Sequence, residues 1–170
     1  ALKYAEQLPH RSDFKGWIPI AGRGEYRLSL ASLTTLATEL GLKHGYKTIT
    51  PTMERASSTF QPGMLRGFFD ADGSVQGSQQ KGVSIRLAQS DLARLEAVQR
   101  MLLRFGVASK IYQNRRPAGT TLLPNGKGGY AEYAAKPQHE LVISSDNIRE
   151  FANIIGFADS NKQAKLEKLL

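Results

Sequence analysis

The sequence contains no cysteine. Disulfides and thiolate zinc sites are therefore excluded, and a reducing compartment suits the chain. Its three histidines, His10, His44 and His139, are scattered without ligand spacing, which argues against a histidine metal centre. Apolar runs are short: Leu141-Val142-Ile143 and Ile154-Ile155 fall far below the roughly 20 residues a membrane-spanning helix needs. No signal-peptide pattern opens the chain, so a cytoplasmic protein with no membrane partner is expected. Acidic residues are scarce, 15 against 23 lysines and arginines, giving a net charge of +8 and a pI near 9.8. Such an excess points to a polyanionic partner, nucleic acid above all, although a basic surface without a partner has the same composition.

With 170 residues, 41% of them hydrophobic, the chain can bury a real core in one domain or two small ones. It starts at Ala1 and ends on Lys165-Leu166-Glu167-Lys168-Leu169-Leu170 without a capping residue, so both ends are expected to continue into something longer. After an amphipathic stretch from Leu2 to Leu8, the segments Trp17–Ile20 and Tyr26–Leu30 read as two short strands around Ala21-Gly22-Arg23-Gly24. Ser32 is the expected cap of a helix that carries Leu33, Leu36, Ala37 and Leu40 on one face and stops at Gly41. Residues 48–59, with Pro51 at the centre and no sustained period, read as a linker.

Helix returns from Phe60 to Asp72, followed by a hairpin of Val75-Gln76 and Val83–Gln89. Ser90 is the expected cap of a helix with Leu92, Leu95, Val98, Leu102 and Leu103 in register, ended by Gly106. A strand over Val107–Gln113, a long basic loop over Arg115–Lys136, a strand over His139–Ser144 and a helix over Asp146–Ile155 complete an αββαββα order. Sliding the two halves by 115 residues aligns Leu28 with Ile143, Leu33 with Ile148, Leu36 with Phe151, Leu40-Gly41-Leu42 with Ile155-Gly156-Phe157, and Lys47 with Lys162. A match running through strand, helix, glycine and lysine favours duplication. Residues 1–47 would be the C-terminal part of a first module and residues 60–170 a second, complete one.

The chemistry is concentrated in Gly63-Met64-Leu65-Arg66-Gly67-Phe68-Phe69-Asp70-Ala71-Asp72-Gly73. As a helix, this segment places Gly63, Gly67 and Ala71 on one face, where small side chains allow a second helix to approach until backbones touch. Leu65, Phe68 and Phe69 are then left for the domain's own core. Asp70 and Asp72 sit at the negative end of the helix dipole, unfavourable by several tenths of a kcal/mol unless a cation joins them. Gly73 is expected to adopt a left-handed conformation that turns the chain into the next strand. A plain Asp-Gly turn closing a helix is the alternative. An EF-hand is excluded, because Val75 stands where its glycine is required and Lys81 where its last glutamate is required. The glycine-rich Pro124-Asn125-Gly126-Lys127-Gly128-Gly129 lacks the leading glycine and the serine or threonine of a phosphate-binding loop, and reads as a flexible basic loop.

These residues resemble the LAGLIDADG homing endonucleases, with residues 60–170 as a whole module. The resemblance implies an α+β fold with a curved antiparallel sheet, and a helix pair in which each helix brings one acid to shared Mg²⁺ (or Mn²⁺) sites. It implies that Asp72 is the metal-binding acid and Gly73 a backbone ligand, with Asp70 a turn-stabilising residue. Gln89 would help order water near the metals, and Lys47 and Lys162 would lie near the scissile phosphates. One Asp72 is insufficient for hydrolysis between two opposed carboxylates. A second LAGLIDADG helix is therefore expected, from an upstream segment or a second subunit. Met64 to Val75 and Arg86-Leu87-Ala88-Gln89-Ser90-Asp91-Leu92 are further similar to inteins of bacterial ribonucleotide reductases, although neither an amino-terminal nucleophile nor a terminal His-Asn pair is present.

The implied partner is double-stranded DNA. Strand alternation puts Val75, Val83, Ile85 and Leu87 in the core and Ser74, Gln76, Ser78, Ser84 and Arg86 on the opposite face, with Lys110, Tyr112 and Asn114 opposed to Ile111. Together with Arg115 and Arg116, those polar and basic side chains suit base-edge and phosphate contacts in a major groove. The expected function is a site-specific, metal-dependent DNA endonuclease. The alternative within the same fold is a non-catalytic binder, an RNA maturase or a transcription regulator.

Overall fold

The computed structural model describes residues 6–22, 25–42, 48–78, 80, 82–126 and 128–170. It divides into two compact units, Ala1–Met53 and Glu54–Leu170. In the first, strands β1 (Trp17–Ile20) and β2 (Glu25–Leu28) pair antiparallel, Trp17 opposite Leu28, and lead into helix α1 (Ala31–Glu39). Leu30 occupies the cap position, so Ser32 does not cap; its hydroxyl donates to the Pro9 carbonyl at 2.7 Å. No residue of α1 is buried, and Leu33 and Leu36 are each 40% exposed, contrary to the expected core face. A two-stranded ribbon offers too little surface to cover them. The expected linker also contains structure. Pro51 opens the short helix α2 (Pro51–Glu54), where its missing N–H matters least, and Thr50 Oγ1 accepts from Met53 N at 3.3 Å.

The second unit opens with helix α3 (Phe60–Asp72), which runs directly into strand β3 (Gly73–Ser78). Strand β4 (Gly82–Gln89), helix α4 (Leu92–Leu103) and strand β5 (Lys110–Arg116) follow. Asp91, and not Ser90, caps α4 by accepting from Arg94 N at 3.2 Å. The segment expected as a loop contains a hairpin of its own, β6 (Gly119–Pro124) with β7 (Tyr130–Ala135), separate from the main sheet. Strand β8 (Gln138–Ser144), helix α5 (Asn147–Ile154) and a helix not foreseen from the pattern, α6 (Ser160–Leu169), end the unit. The main sheet has order β3-β4-β8-β5 and is antiparallel throughout.

Alternation makes this sheet two-faced. Val75, Ile85, Leu87, Leu141 and Ile143 are buried, together with Leu65 and Phe69 of α3, Leu95, Val98, Met101 and Leu102 of α4, and Phe151 of α5. Val83, nearer the open end of the hairpin, is only half-buried, as is Phe68. Phe151 meets the edge of Phe69 at 4.8 Å between centroids and lies 5.5 Å from Phe157, tying α3 to the α5 end. Each such ring contributes roughly 1.5–3 kcal/mol by leaving water. Before α3, Glu54 holds Arg100 of α4 through contacts of 2.5 and 3.0 Å, while the buried Gln61 donates to the carbonyls of Glu54 (2.7 Å) and Ala56 (3.0 Å). The Arg100 guanidinium keeps the Glu54 carboxyl below its ordinary pKa. Among the described residues no helix is long and apolar enough to cross a membrane.

Candidate functional site

Helix α3 buries Gln61, Leu65 and Phe69, spaced by four, and so turns the opposite side outward. Gly63, Gly67 and Ala71 are exposed on that outer side, and a Cβ added at Gly63 or Gly67 would meet nothing within 4 Å. Both glycines are therefore free of any close approach within this unit.

At the C-terminal end of α3 the carboxylate of Asp72 is exposed, and its Oδ2 accepts from Gln89 Nε2 at 2.7 Å. The end of β4 and the end of α3 thus converge, joining two residues singled out in the sequence. Gln89 Oε1 in turn accepts from Arg94 Nη1 at 3.1 Å. Arginine only donates and an ionised carboxylate only accepts, so one orientation of the amide satisfies both neighbours. Arg94 was not singled out in the sequence; its place in the first turn of α4, three residues after the Asp91 cap, was the available signal.

Gly73 is extended, with φ −82° and ψ 158°, so the expected left-handed turn is absent. Glycine is required here for a different reason: an added Cβ would lie 2.5 Å from the Phe69 carbonyl oxygen and 2.9 Å from Phe69 Cδ1. The chain leaves the helix so tightly that no side chain fits.

The helix dipole is compensated from α6, and Asp70 is held by the turn that precedes it. Lys162 Nζ donates to the Asp70 carbonyl at 2.5 Å and the Phe69 carbonyl at 3.2 Å, placing a cation where the orphan carbonyls of α3 end. Reciprocally, Asp70 Oδ1 accepts from the backbone N–H of Ala158 (2.9 Å) and Asp159 (3.1 Å), just before α6. Asp70 is thereby occupied with positioning that turn, whereas Asp72 keeps an exposed carboxylate. Lys47 lies outside the described residues.

As a site for a divalent cation, the Asp72 carboxylate and the Gly73 carbonyl supply hard oxygen donors of the kind Mg²⁺ prefers. Among the described residues no group of three or more histidine, aspartate or glutamate side chains is assembled to hold a metal. The donor type fits, and the number of ligands calls for additional oxygens.

The sheet face turned away from the helices carries Ser74 and Gln76 of β3, Ser84 and Arg86 of β4, and Lys110 and Tyr112 of β5, with Ser78 half-buried at the hairpin end. Alternation in β5 holds only to Tyr112. Between Tyr112 and Arg116 the register slips, Asn114 is left-handed (φ 51°), and its N–H donates to the ring Nδ1 of the buried His139 at 3.1 Å. The bulge carries Arg115 back over the sheet, 5.6 Å from the Tyr112 ring, which Lys110 also approaches at 5.0 Å. At the centre of this face stands Glu140, absent from the sequence-based selection, with Arg86 Nη1 at 3.3 Å and Arg115 Nε at 3.6 Å from its Oε2.

Comparison with known proteins agrees with this architecture. The LAGLIDADG-like domain family matches residues 59–156, more than half of the chain. The ribonucleoside-diphosphate reductase NrdEB subunit alpha of Bacillus subtilis is 34% identical over 126 residues, covering 72% of this chain and 12% of that protein. A probable translation initiation factor IF-2 of Thermococcus kodakarensis is 35% identical over 106 residues, 62% of this chain and 7% of that protein. The chain thus spans about an eighth or less of the length of these relatives. Among solved structures, one from a study of mesophilic variants of the homing endonuclease I-DmoI superposes with a TM-score of 0.50 over 82% of this chain and 62% of that one, at 20% identity, a likeness of fold. The acid-ended helix, the sheet it feeds and the family match together show that this chain belongs to the LAGLIDADG-like domain family, with the α+β fold of the LAGLIDADG homing endonucleases.

Proposed function

We propose that the chain is the endonuclease part of an intein, making a site-specific double-strand break in DNA with the help of Mg²⁺ or Mn²⁺. The observation that carries this reading is the exposed Asp72 carboxylate at the end of a small-residue helix, hydrogen-bonded at 2.7 Å to Gln89. Asp72 and Gly73 would hold the ion, which when bound supplies charge neutralisation at the phosphate and a more acidic water. Gln89, oriented by Arg94, would keep Asp72 in place and present an amide to that water. Lys162, by neutralising the end of α3, lets an acid be held there before the ion arrives. The open sheet face, with Ser74, Gln76, Ser84, Arg86, Lys110 and Tyr112, together with Ser78 and the β5 bulge residues Asn114, Arg115 and Arg116, would lie in the major groove.

Gly63, Gly67 and Ala71 would receive a second LAGLIDADG helix, from a preceding module or from another subunit, whose acid completes the metal sites. In support of a preceding module, the first unit keeps step with the second at the same offset of 115: β2 falls on β8, α1 on α5, and Gly41 and Gly156 are both left-handed. The intein assignment draws on the relatives. A reductase subunit and an initiation factor have unrelated roles, yet each matches this chain over a small part of its length, as an inserted module would.

Incubating the intact protein with Mg²⁺ and a duplex spanning the joined flanks of its host gene should give a double-strand break. Asp72→Asn should lower that cleavage by about 100-fold or more while leaving binding intact. Tight binding without cleavage, unaffected by Asp72→Asn, would instead establish a non-catalytic nucleic-acid binder.

A further inference from the structure

We infer that Arg86, Glu140 and Arg115 form a base-reading cluster that selects a G·C pair, with Glu140 as a specificity-determining residue of the DNA-facing sheet. The inference rests on the proposed DNA-binding function and adds to it the part of the face that distinguishes bases. Glu140 is the only acidic residue in the four strands of the main sheet. A face that served phosphate attraction alone would gain nothing from a carboxylate at its centre, where it repels the backbone.

The surroundings of Glu140 give it a different role. Its side chain is only 16% exposed, against 30% for Arg86 and 57% for Arg115. Arg86 is fixed twice, by Nε to Ser84 Oγ at 3.0 Å and by Nη1 to Glu140 at 3.3 Å. These contacts use the Nε–H and one Nη1 proton, and leave both Nη2 protons and the second Nη1 proton as donors for the O6 and N7 acceptors of guanine. Among the described residues the two guanidinium contacts of Glu140 both fall on Oε2, so Oε1 is the atom positioned to accept from the N4 amine of a cytosine. Phosphate contacts are made well by exposed, mobile cations; a part-buried guanidinium held by a carboxylate, as Arg86 is, suits a base edge.

The third member is brought there by the backbone. Without the bulge, strict alternation would carry Arg115 to the opposite side of the strand from Tyr112. The left-handed Asn114, anchored on His139, resets the parity and delivers Arg115 to Glu140 and the Tyr112 ring.

Selection of bound sequences from a randomised duplex library by the intact protein in EDTA, followed by sequencing, tests the cluster. The wild type should show a window of one to three base pairs with a strong G·C preference. Glu140→Gln, similar in shape, and Arg86→Lys, similar in charge, should each weaken that preference by about 10-fold or more and leave the rest of the profile unchanged. Because Glu140→Gln adds one positive charge, an acid with no reading role would give tighter binding at every position with an unaltered profile, and that result overturns the proposal. A wild type that enriches no sequence overturns the site-specific recognition on which the inference rests. Melting temperatures of both variants within a few degrees of the wild type exclude misfolding as the origin of a flattened window.

Discussion

Asp72, Gln89 and Arg94 form a directed chain of donors and acceptors, and its middle member has one satisfied orientation. Two of the three were legible in the sequence, Asp72 as an acid ending the helix and Gln89 through the family resemblance. Arg94 was not, because the contact crosses a strand-to-helix boundary at a separation of five residues, which no simple period describes. Gly73 was identified for the wrong reason. Sequence shows that a glycine is needed and cannot show whether a positive φ or a close approach requires it. The contact with Phe69 gives a specific expectation: Gly73→Ala should destabilise the second unit by about 1–3 kcal/mol, measured by urea unfolding. Because the nearest contact is the Phe69 backbone carbonyl oxygen, a smaller side chain at Phe69 should not restore the loss, as the double variant with Phe69→Leu would show.

Helices and strands that bury one face over the common core were read well, as were β1, β2 and α1, which bury none, while the exposed β6–β7 hairpin and helix α6 were missed. Helices α3 and α4 and strands β3, β4 and β8 all carry periodic apolar positions over a common core. The β6–β7 hairpin was hidden because Leu122, Leu123, Tyr130 and Tyr133 are exposed and no face selects an alternation. The open stripe of α3 can be tested against the proposed helix pair. A Cβ at Gly67 meets nothing within 4 Å, so the melting temperature of Gly67→Leu should rise, by the equivalent of up to about 1 kcal/mol from helix propensity. Cleavage by the intact protein should nevertheless fall by about 100-fold, because a second backbone could no longer approach. Unchanged cleavage would remove the stripe from the interface.

Glu54, at the start of the same unit, supports a pH test. Its folded-state pKa is below the unfolded value because of Arg100, so the pair stabilises the fold above the ordinary glutamate pKa near 4.3. That contribution is lost as pH falls through the lower, folded-state value. With Arg100 more than half exposed, the gain is about 0.5–1 kcal/mol. Urea midpoints of wild type and Glu54→Gln should differ at pH 7 and converge near pH 3.

At the scale of the whole molecule, charge and geometry act together. A net charge of +8 predicts DNA affinity that falls steeply with salt, with a slope near −0.9 for each phosphate neutralised. With six to ten contacts, binding of a non-specific duplex should weaken by about 10³- to 10⁵-fold between 50 and 200 mM salt in a fluorescence titration. A flat response would mean that the positive charge is dispersed away from any groove. Charge was visible in the composition; bringing Arg86, Lys110 and Arg115 onto one sheet face depended on a pairing order, β3-β4-β8-β5, that carries the last strand into the centre and could not be inferred locally.

The reciprocal hold between α3 and α6 also has a temporal side. Asp70 and the carbonyls beside it find their partners in Ala158, Asp159 and Lys162, about 90 residues later in the chain. During synthesis, the turn at the end of α3 therefore remains unfinished until nearly the entire module has left the ribosome. A nascent or truncated polypeptide that lacks α6 carries the motif without its supports, which, under the proposed function, would delay the moment at which a DNA-cutting centre can exist.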